Sequence, residues 1–305
     1  MRTPSLTRAI FTSNRCLTGL SRTQLVHLVQ ELGHPWELAT EAGRERRRGH
    51  AGSRGGGRRH ELVFYDRLLV TTVHLRHGLT HAALAAIFGV DRSTVSRAIT
   101  EIRPLLVARG FQVEEGARLH TLADVVAYLH LREVKGRLDA TEVQVRRPRA
   151  HVPGRGRFVS GKARKHTVKV THVSCGNGKL LWAGAGRPGR MHDQTAVKTE
   201  GLDDLLDQFP TAHLDVDAGY RGLVRDHPDR VHGPPKKPPK HAVEDELLSY
   251  ELARHAQSSS RIPVEHSIAA VKINRAANRH YGIRDQAVET YLAAAVLTNV
   301  RQMVA

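Results

Sequence analysis

Cysteine and long apolar runs are nearly absent from this 305-residue chain. Cys16 and Cys175 are its only cysteines, and they lie far apart and outside any C-x-x-C pair. This argues against a disulfide framework and against a cysteine-ligated zinc site, and it fits a reducing cytosol. No apolar run approaches the roughly 18 residues of a membrane-spanning helix, and segment 1–4 lacks the apolar core of a secretory signal. We therefore expect a soluble, cytoplasmic protein with no membrane partner.

Acidic residues are few relative to basic ones. The chain has 47 Lys and Arg against 30 Asp and Glu, which gives a formal net charge of +17 and a pI near 10.6. A charge of this size repels itself in the compact state, so it indicates a polyanionic partner rather than a need of folding. Nucleic acid fits best, because each neutralised phosphate releases a condensed counterion. An arginine-rich composition without a bound partner is the alternative.

Helical and strand-like apolar spacings follow each other in an order typical of a mixed fold. They predict helices over 22–32, 62–73, 80–88, 93–102, 122–131, 193–209, 242–257, 262–274 and 286–304, and strands over 134–145, 166–174, 179–185 and 212–217. This order predicts an α+β (mixed α/β) class with a central mixed sheet. Gly, Arg and Ser dominate 43–59, which we expect to be a linker or basic arm. The predicted divisions are a helical segment (1–42), this linker (43–59), a helix-turn-helix region (60–110) and a catalytic region (130–305).

The segment 79–102 has the pattern of a helix, a glycine-containing turn and a second helix. Thr80 is a candidate N-cap of the first helix, and Pro104 is expected to end the second. The residues expected to project from the start of the second helix are Arg92, Ser93, Thr94, Ser96 and Arg97. A recognition helix presents its donors to base edges and phosphates from this position. The alternative is an ordinary helical hairpin, but short polar and arginine side chains suit a DNA groove better than burial.

Three carboxylates occupy positions that suit a metal site. Asp139 lies within a predicted strand, Asp217 ends another, and Glu265 lies on a later helix. Buried acids need a cationic partner, and strand ends are where sites of α/β sheets assemble. Oxygen ligands suit Mg²⁺ or Mn²⁺, and a pair of such ions serves phosphodiester cleavage. Spacing alone leaves open that these are unrelated surface acids, and Asp215 is an alternative to Asp217 on the same strand face.

Four motifs in order resemble those of DDE superfamily endonucleases. They read DATE at 139–142, GRPGRMHD at 186–193, DAGYRG at 217–222 and VEH at 264–266. With the helix-turn-helix segment, the chain is similar from about Leu17 onward to bacterial insertion-sequence transposases related to Harbinger-like elements. The resemblance implies an RNase H-like fold and a metal-binding triad of Asp139, Asp217 and Glu265. It also implies hydrolysis at transposon ends, followed by attack of the freed 3′-hydroxyl on target DNA.

The surroundings of Glu265 extend this resemblance. Insertion-sequence transposases often place Tyr, Arg, Glu and Lys at fixed spacing here, and Arg261, Glu265 and Lys272 keep that spacing while Ser258 replaces the tyrosine. At about 100° per residue the three share one helix face, so two cations would flank the metal ligand where DNA phosphate lies. A surface ion pair between Arg261 and Glu265 is the alternative. Pro263 predicts a helix that begins near Arg261 or a longer helix that kinks there.

Weaker candidates surround these residues. His192, Asp193 and His266 are candidate site residues, although Asp193 also suits the N-cap of the next helix. Ala140 stands where the family commonly has glycine. A basic stretch between the first two strands is a candidate phosphate-tracking loop, as is a second run at Lys236, Lys237 and Lys240. The first stretch comprises Arg146, Arg147, Arg149, Arg155, Arg157, Lys162, Arg164 and Lys165.

The leading hypothesis is a metal-dependent transposase that acts on double-stranded DNA, at both transposon ends and target, with two Mg²⁺ or Mn²⁺ ions. Because transposition joins two ends, we expect a homodimer or higher oligomer, and we expect the protein to be cytoplasmic and nucleoid-associated. One alternative is a DNA-binding regulator or domesticated remnant without catalysis. Another is an RNase H-like nuclease that does not transpose, which leaves the helix-turn-helix without a role.

Overall fold

The computed structural model describes residues 5–48, 61–149, 153–184, 186–239 and 241–303. The helices are α1 (Ser5–Ser13), α2 (Arg15–Thr18), α3 (Arg22–Arg48), α4 (Phe64–His77), α5 (His81–Phe88), α6 (Arg92–Arg109), α7 (Leu122–Arg132), α8 (Asp193–Lys198), α9 (Leu202–Gln208), α10 (Arg221–Asp226), α11 (Glu244–Lys272), α12 (Arg275–Asn278) and α13 (Ala287–Met303). The strands are β1 (Phe111–Glu114), β2 (Ala117–Leu119), β3 (Gly136–Val145), β4 (Thr167–Cys175), β5 (Leu180–Ala183), β6 (Arg187–Pro188), β7 (Leu214–Asp215), β8 (Val231–His232) and β9 (Arg279–His280). None of the helices described is long and apolar enough to cross a membrane.

The chain falls into two compact units. The first comprises Met1–Arg109, Ile273–Ala277 and Glu289–Ala305, and the second comprises Gly110–Lys272 and Asn278–Val288. Helix α13 is the last helix described along the sequence, and its Leu297 and Val300 pack in the core of the first unit. The four domain boundaries drawn from the sequence stay predictions.

The first unit contains the predicted helix-turn-helix. Helices α5 and α6 are joined by a turn in which Gly89 adopts the left-handed conformation, with a φ of +64°. The Thr80 hydroxyl accepts a hydrogen bond from the Ala83 N–H at 3.2 Å and so caps α5, as its position predicts. Phe88 and Val95 are fully buried in the shared core, so α5 and α6 are fixed against each other.

Helix α3 corrects the sequence prediction at Gly33. The predicted helix ended at residue 32, but α3 continues through Gly33 and Pro35 to Arg48, so 43–48 of the predicted linker are helical. An internal proline costs about 3 kcal/mol, and packing of Trp36 offsets this cost. Its indole donates a hydrogen bond to Glu101 at 3.0 Å and lies 5.4 Å from the Phe64 ring. Residues 49–59, like 185, 240 and 304, lie outside the described residues.

Helix α6 likewise continues past a proline that was expected to end it. Pro104 lies inside α6, which reaches Arg109. Buried side chains on both sides of the proline hold the helix together, since Arg103 bonds the Thr290 hydroxyl at 2.8 Å and Leu106 is fully buried. Tertiary packing therefore overrides the local helix-breaking signal.

The second unit is built on a mixed sheet with the strand order β5-β4-β3-β7-β8. Strands β3, β4 and β5 follow each other antiparallel, whereas β7 and β8 join parallel to β3. Strands β6 and β9 extend this sheet by pairing with β4 and β3. Three antiparallel strands followed by two parallel ones form the topology of the RNase H-like fold. The predicted mixed α+β class is confirmed.

Several boundaries in the second unit differ from the prediction. The predicted helix 193–209 is two helices, α8 and α9, because Gly201 adopts a φ of +82° between them. The predicted strand 212–217 shortens to β7. The two helices predicted over 242–257 and 262–274 are one helix, α11, with Pro263 inside it, so a helix beginning near Arg261 is wrong and the longer helix is correct.

Candidate active site

Asp139 lies in the middle of the sheet, on β3. It stands directly opposite His172 in the antiparallel β3–β4 pair. Its Oδ1 accepts a hydrogen bond from the Ala140 N–H at 2.7 Å. Burial raises the pKa of Asp139, and the charge of Asp217 adds to this rise while Ala140 and Arg261 oppose it. Because burial makes the ionised form of Asp139 unfavourable, a bound cation would stabilise that form.

Asp217 follows β7, where the chain enters a short 3₁₀ turn over Ala218–Tyr220. Its Oδ1 caps this turn by accepting a hydrogen bond from the Gly219 N–H at 2.8 Å. A Cβ at Gly219 would lie 2.9 Å from Asp217 Oδ1 and 3.3 Å from Asp193 Oδ2. Glycine therefore lets two carboxylates approach the same backbone position.

Arg261 connects the third predicted carboxylate to the first. Its Nη2 lies 3.3 Å from Asp139 Oδ2 and 3.7 Å from Glu265 Oε1. The predicted i,i+4 contact of Arg261 with Glu265 is present, but the same nitrogen also reaches β3. Helix α11 thus brings the exposed Glu265 close to the partly buried Asp139, with the Arg261 guanidinium in contact with both.

Tyr220 lies among these carboxylates. The side chain is fully buried, and its hydroxyl has no hydrogen-bond partner among the described residues. Burial raises the pKa of Tyr220 well above its usual value, and the charges of Asp193, Asp139 and Asp217 raise it further, in that order. The Tyr220 hydroxyl is therefore influenced by three aspartates from separate segments of the chain. Two of them, Asp193 and Asp217, also lie near the same position at Gly219.

Replacing Tyr220 with phenylalanine should stabilise the protein. An unsatisfied buried hydroxyl costs about 1 kcal/mol or more, so Tyr220→Phe should raise the free energy of unfolding by about 1 kcal/mol. Denaturant unfolding of both proteins in metal-free buffer measures this difference. A loss of stability of similar size would show that the hydroxyl has a partner that holds the fold together.

Asp193 is held by a buried lysine. Lys169 forms an ion pair with Asp193, and its Nζ also donates a hydrogen bond to the Met191 carbonyl at 2.6 Å. Asp193 is the first residue of α8, and its neighbour His192 is the N-cap residue but makes no side-chain capping bond. The sequence suggested either a site residue or a cap at Asp193. The cap is wrong, because His192 is the N-cap residue, and the site role stays a prediction; Asp193 contacts Lys169 and lies near Gly219.

Two weaker candidates lie apart from this cluster. Asp215, the alternative to Asp217, is buried and forms an ion pair with Lys135 at 3.4 Å. His266 is exposed on α11. Of the two candidate aspartates near the end of β7, Asp217 is therefore the one that the structure brings to Asp139 and Asp193.

The donor set of this cluster fits a divalent cation. Asp139, Asp217 and Glu265 offer carboxylate oxygens, the preferred ligands of Mg²⁺ and Mn²⁺. The raised pKa of Asp139 indicates that its negative charge is not fully compensated, so a bound cation would stabilise the ionised carboxylate. The Tyr220 hydroxyl, which has no partner among the described residues, adds a further oxygen to the same site. Among the described residues, no three His, Cys, Asp or Glu side chains stand close enough to hold an ion without rearrangement. Arg261 supplies the positive charge instead.

A groove of about 700 Å³ begins beside Asp139, at Ala140, and reaches Asp193. Its basic lining residues are Lys162, Lys165, Lys169, Arg190 and Lys272, and its acids are Glu142 and Asp193. Burial lowers the pKa of Lys272, and the charges of Glu142 and Asp139 oppose this shift. Lys272 therefore lines the groove and is influenced by the charge of Asp139.

Glu142 shapes one wall of this groove. Its two oxygens accept hydrogen bonds from the Ser160 hydroxyl at 3.0 Å and the Thr167 hydroxyl at 3.1 Å. These bonds tie the segment that carries Lys162 and Lys165, both exposed, to strand β3. Two residues of the predicted phosphate-tracking loop thus line the groove.

The exposed start of α6 presents only part of the predicted DNA-binding set. Arg92, Ser93 and Arg97 are exposed. The expectation that Thr94 projects outward is wrong, because it is buried and its hydroxyl donates to Glu61 at 3.0 Å. Ser96 is half-buried and bonds His81 Nδ1 at 2.7 Å, which fixes α6 against α5.

Sequence reasoning missed Lys169, His172 and Tyr220. Burial lowers the pKa of His172 to about 3, so it is neutral beside Asp139. The alternation of β4 carried no signal for these roles, because all but the last of its residues are buried on both faces. For Tyr220 a signal existed: it follows directly on the Asp-Ala-Gly motif and is aromatic at the start of a turn.

Comparison with known proteins agrees with this geometry. A family model for the helix-turn-helix of DDE superfamily endonucleases matches residues 60–112, and a DDE superfamily endonuclease model matches residues 138–299. The chain is 28% identical over 251 residues to a probable transposase for insertion sequence element IS702 from Microchaete diplosiphon, across 76% of this chain and 80% of that protein. The chain belongs to the DDE superfamily endonucleases, with their helix-turn-helix ahead of the nuclease region.

Proposed function

We propose that this protein is a transposase that cuts DNA at the ends of its own insertion sequence and joins those ends to target DNA. The observation that carries the proposal is a cluster in an RNase H-like sheet, in which Arg261 contacts Asp139 and Glu265 and Tyr220 lies near Asp139 and Asp217. The similarity to a probable insertion-sequence transposase and the helix-turn-helix support it.

The chemistry consists of two phosphoryl transfers. In the first, water attacks the phosphorus at a transposon end, and the bond to the 3′ oxygen breaks to leave a 3′-hydroxyl and a 5′-phosphate. In the second, this 3′-hydroxyl loses its proton and attacks a target phosphodiester, whose own 3′ oxygen leaves. The number of phosphodiester bonds is conserved in the second step, so no external energy source is needed.

The three carboxylates would hold two Mg²⁺ or Mn²⁺ ions, which activate the attacking oxygen and stabilise the leaving one when bound. Arg261 holds Asp139 and Glu265 near each other before loading, because one nitrogen contacts both. With the charge of the carboxylates neutralised, the Arg261 guanidinium and the Lys272 ammonium would be available to contact the scissile phosphate. His172, which stands opposite Asp139, is uncharged at neutral pH because burial lowers its pKa.

The basic groove provides a path for the strand that leads to the cluster. Its five basic side chains outnumber its two acids, of which Asp193 is already paired with Lys169. Lys162 and Lys165 are exposed and free to follow a phosphate backbone. Arg92, Ser93 and Arg97 on α6 supply sequence recognition, and the groove supplies affinity that does not depend on sequence.

Removing the two exposed groove lysines should weaken binding of the strand without changing its chemistry. Lys162→Ala with Lys165→Ala should raise KM for DNA and flatten the dependence of log K on log salt concentration by up to about 2, because each phosphate contact contributes about 0.9. Arg118→Ala with Arg225→Ala is the matched control, since it removes the same charge from two exposed positions outside the groove. Equal effects of the two pairs would show general electrostatic attraction rather than a defined path.

The proposed function is tested with DNA that carries the ends flanking the gene of this protein. We expect Mg²⁺- or Mn²⁺-dependent nicking at the end, followed by joined products when target DNA is added. Binding of those ends without cleavage, under every metal and salt condition, would leave a DNA-binding regulator. Cleavage without any end preference or joined product would favour a nuclease that does not transpose.

A further inference from the structure

The first half of helix α11 is exposed on nearly every side. From Glu244 to Ala256 only Tyr250 is partly buried. Leu247, Leu248 and Leu252 expose 46%, 57% and 64% of their surface, although leucine is commonly buried. A helical segment of this length is marginal in water without packing, so an apolar face on it indicates a missing partner.

The two sides of this segment differ. A shallow groove of about 570 Å³ separates one side from the proline-rich segment 235–239, and Asp245, Ser249 and Ala253 line that side. At about 100° per residue, Leu247, Glu251 and Arg254 point in the opposite direction, and Leu248 and Leu252 lie at one edge of that side. We call this surface the leucine face; it comprises Glu244, Leu247, Leu248, Glu251, Leu252, Arg254 and His255.

The charge of this segment excludes DNA as the occupant of the leucine face. Residues 244–253 contain four acids, Glu244, Asp245, Glu246 and Glu251, and no Lys or Arg, in a chain with a net charge of +17. Phosphates would be repelled here, whereas a basic protein surface would be attracted. The basic residues Arg254 and His255 follow immediately at the other end of the same segment.

We propose that the leucine face pairs antiparallel with the leucine face of a second copy of this chain. Antiparallel pairing places the acidic end of each helix beside Arg254 and His255 of the other, and the leucines between them. A two-fold interface of this kind is self-complementary, since the same patch serves both copies. The pairing itself depends on neither metal nor DNA, and under the proposed function it would hold the two copies that join two ends.

The area of the leucine face determines how stable the proposed dimer should be. One helix pair buries less than the roughly 800 Å² per partner of a standard stable interface. The dimer should therefore dissociate on dilution in the micromolar range and become more populated when DNA brings two copies together.

Sedimentation equilibrium of the full-length protein, without DNA and in metal-free buffer, tests the pairing. The unmodified chain should show a concentration-dependent monomer–dimer equilibrium, and Leu248→Asp with Leu252→Asp should remain monomeric. Leu131→Asp is the matched control, because Leu131 is 76% exposed on α7 and should leave the equilibrium unchanged. A monomer at all concentrations, or a dimer that survives the double aspartate substitution, would overturn the proposal.

A charge exchange tests the antiparallel arrangement without assuming a register. One variant carries Glu244→Lys and Glu251→Lys, and the other carries Arg254→Glu and His255→Glu. Each should be monomeric alone because its faces repel, and a mixture of the two should form a heterodimer. Failure of the mixture to associate, with both variants folded, would overturn the arrangement. End binding by the monomeric variants separates these outcomes from failure of the proposed function.

Discussion

Asp139→Asn should abolish metal-dependent nicking and leave the fold intact. Asparagine keeps the size of the side chain but removes the negative charge that a divalent cation needs. Loss of one group that stabilises transition-state charge costs about 10²–10³-fold in rate, and loss of a metal ligand should cost at least as much. Cleavage of labelled end DNA, measured over time with Mg²⁺ or Mn²⁺, gives the rate.

The fold should tolerate this substitution because the charge of Asp139 is costly. Burial raises its pKa, so the folded chain favours the protonated form and the ionised carboxylate lowers stability as pH rises through the folded-state pKa. A neutral amide does not carry this cost. In metal-free buffer at neutral pH the thermal midpoint of Asp139→Asn should therefore equal or exceed that of the unmodified protein.

Two companion substitutions make the result specific. Glu265→Gln should lose cleavage to a similar degree. Asp215→Asn should retain it within a few fold, because Asp215 contacts Lys135 rather than the cluster. End binding should survive in all three variants. Full cleavage by Asp139→Asn or Glu265→Gln, or loss of cleavage in Asp215→Asn, would contradict the assigned triad.

The sequence predicts elements whose signals are local. The Thr80 cap and the turn at Gly89 are present as expected, because a cap and a left-handed glycine are decided within four or five residues. Pro35, Pro104 and Pro263 all lie inside helices that were expected to end or begin near them. Their neighbours are held by distant side chains, which local propensity does not contain.

The same distinction holds for the site. The motifs identify the three carboxylates, but not that Arg261 reaches Asp139, 122 residues away in the chain. Nor do they indicate that Thr94 turns inward, since its partner Glu61 lies 33 residues earlier. Contacts of this kind depend on how helices and strands pack, so the sequence identifies residues of the right chemistry before it can assign their partners.

Arg92→Ala combined with Arg97→Ala should lower the affinity for the transposon end by about 10²-fold or more, because a bidentate arginine–base contact contributes about 1–3 kcal/mol. Both side chains are exposed at the start of α6, whereas Thr94 and Ser96 are engaged within the first unit. Binding isotherms on end DNA and on a scrambled duplex, each at several salt concentrations, measure the change. Affinity for the scrambled duplex should fall much less.

Arg15→Ala with Arg22→Ala is the matched control, since it removes two exposed arginines of the same unit away from α6. If the double substitution in α6 acts only through charge, both pairs should lower end and scrambled affinity alike and flatten the salt dependence equally. If α6 reads bases, only Arg92 and Arg97 should reduce the ratio of end to scrambled affinity. An unchanged ratio would assign recognition of the ends to another surface and leave α6 as a phosphate contact.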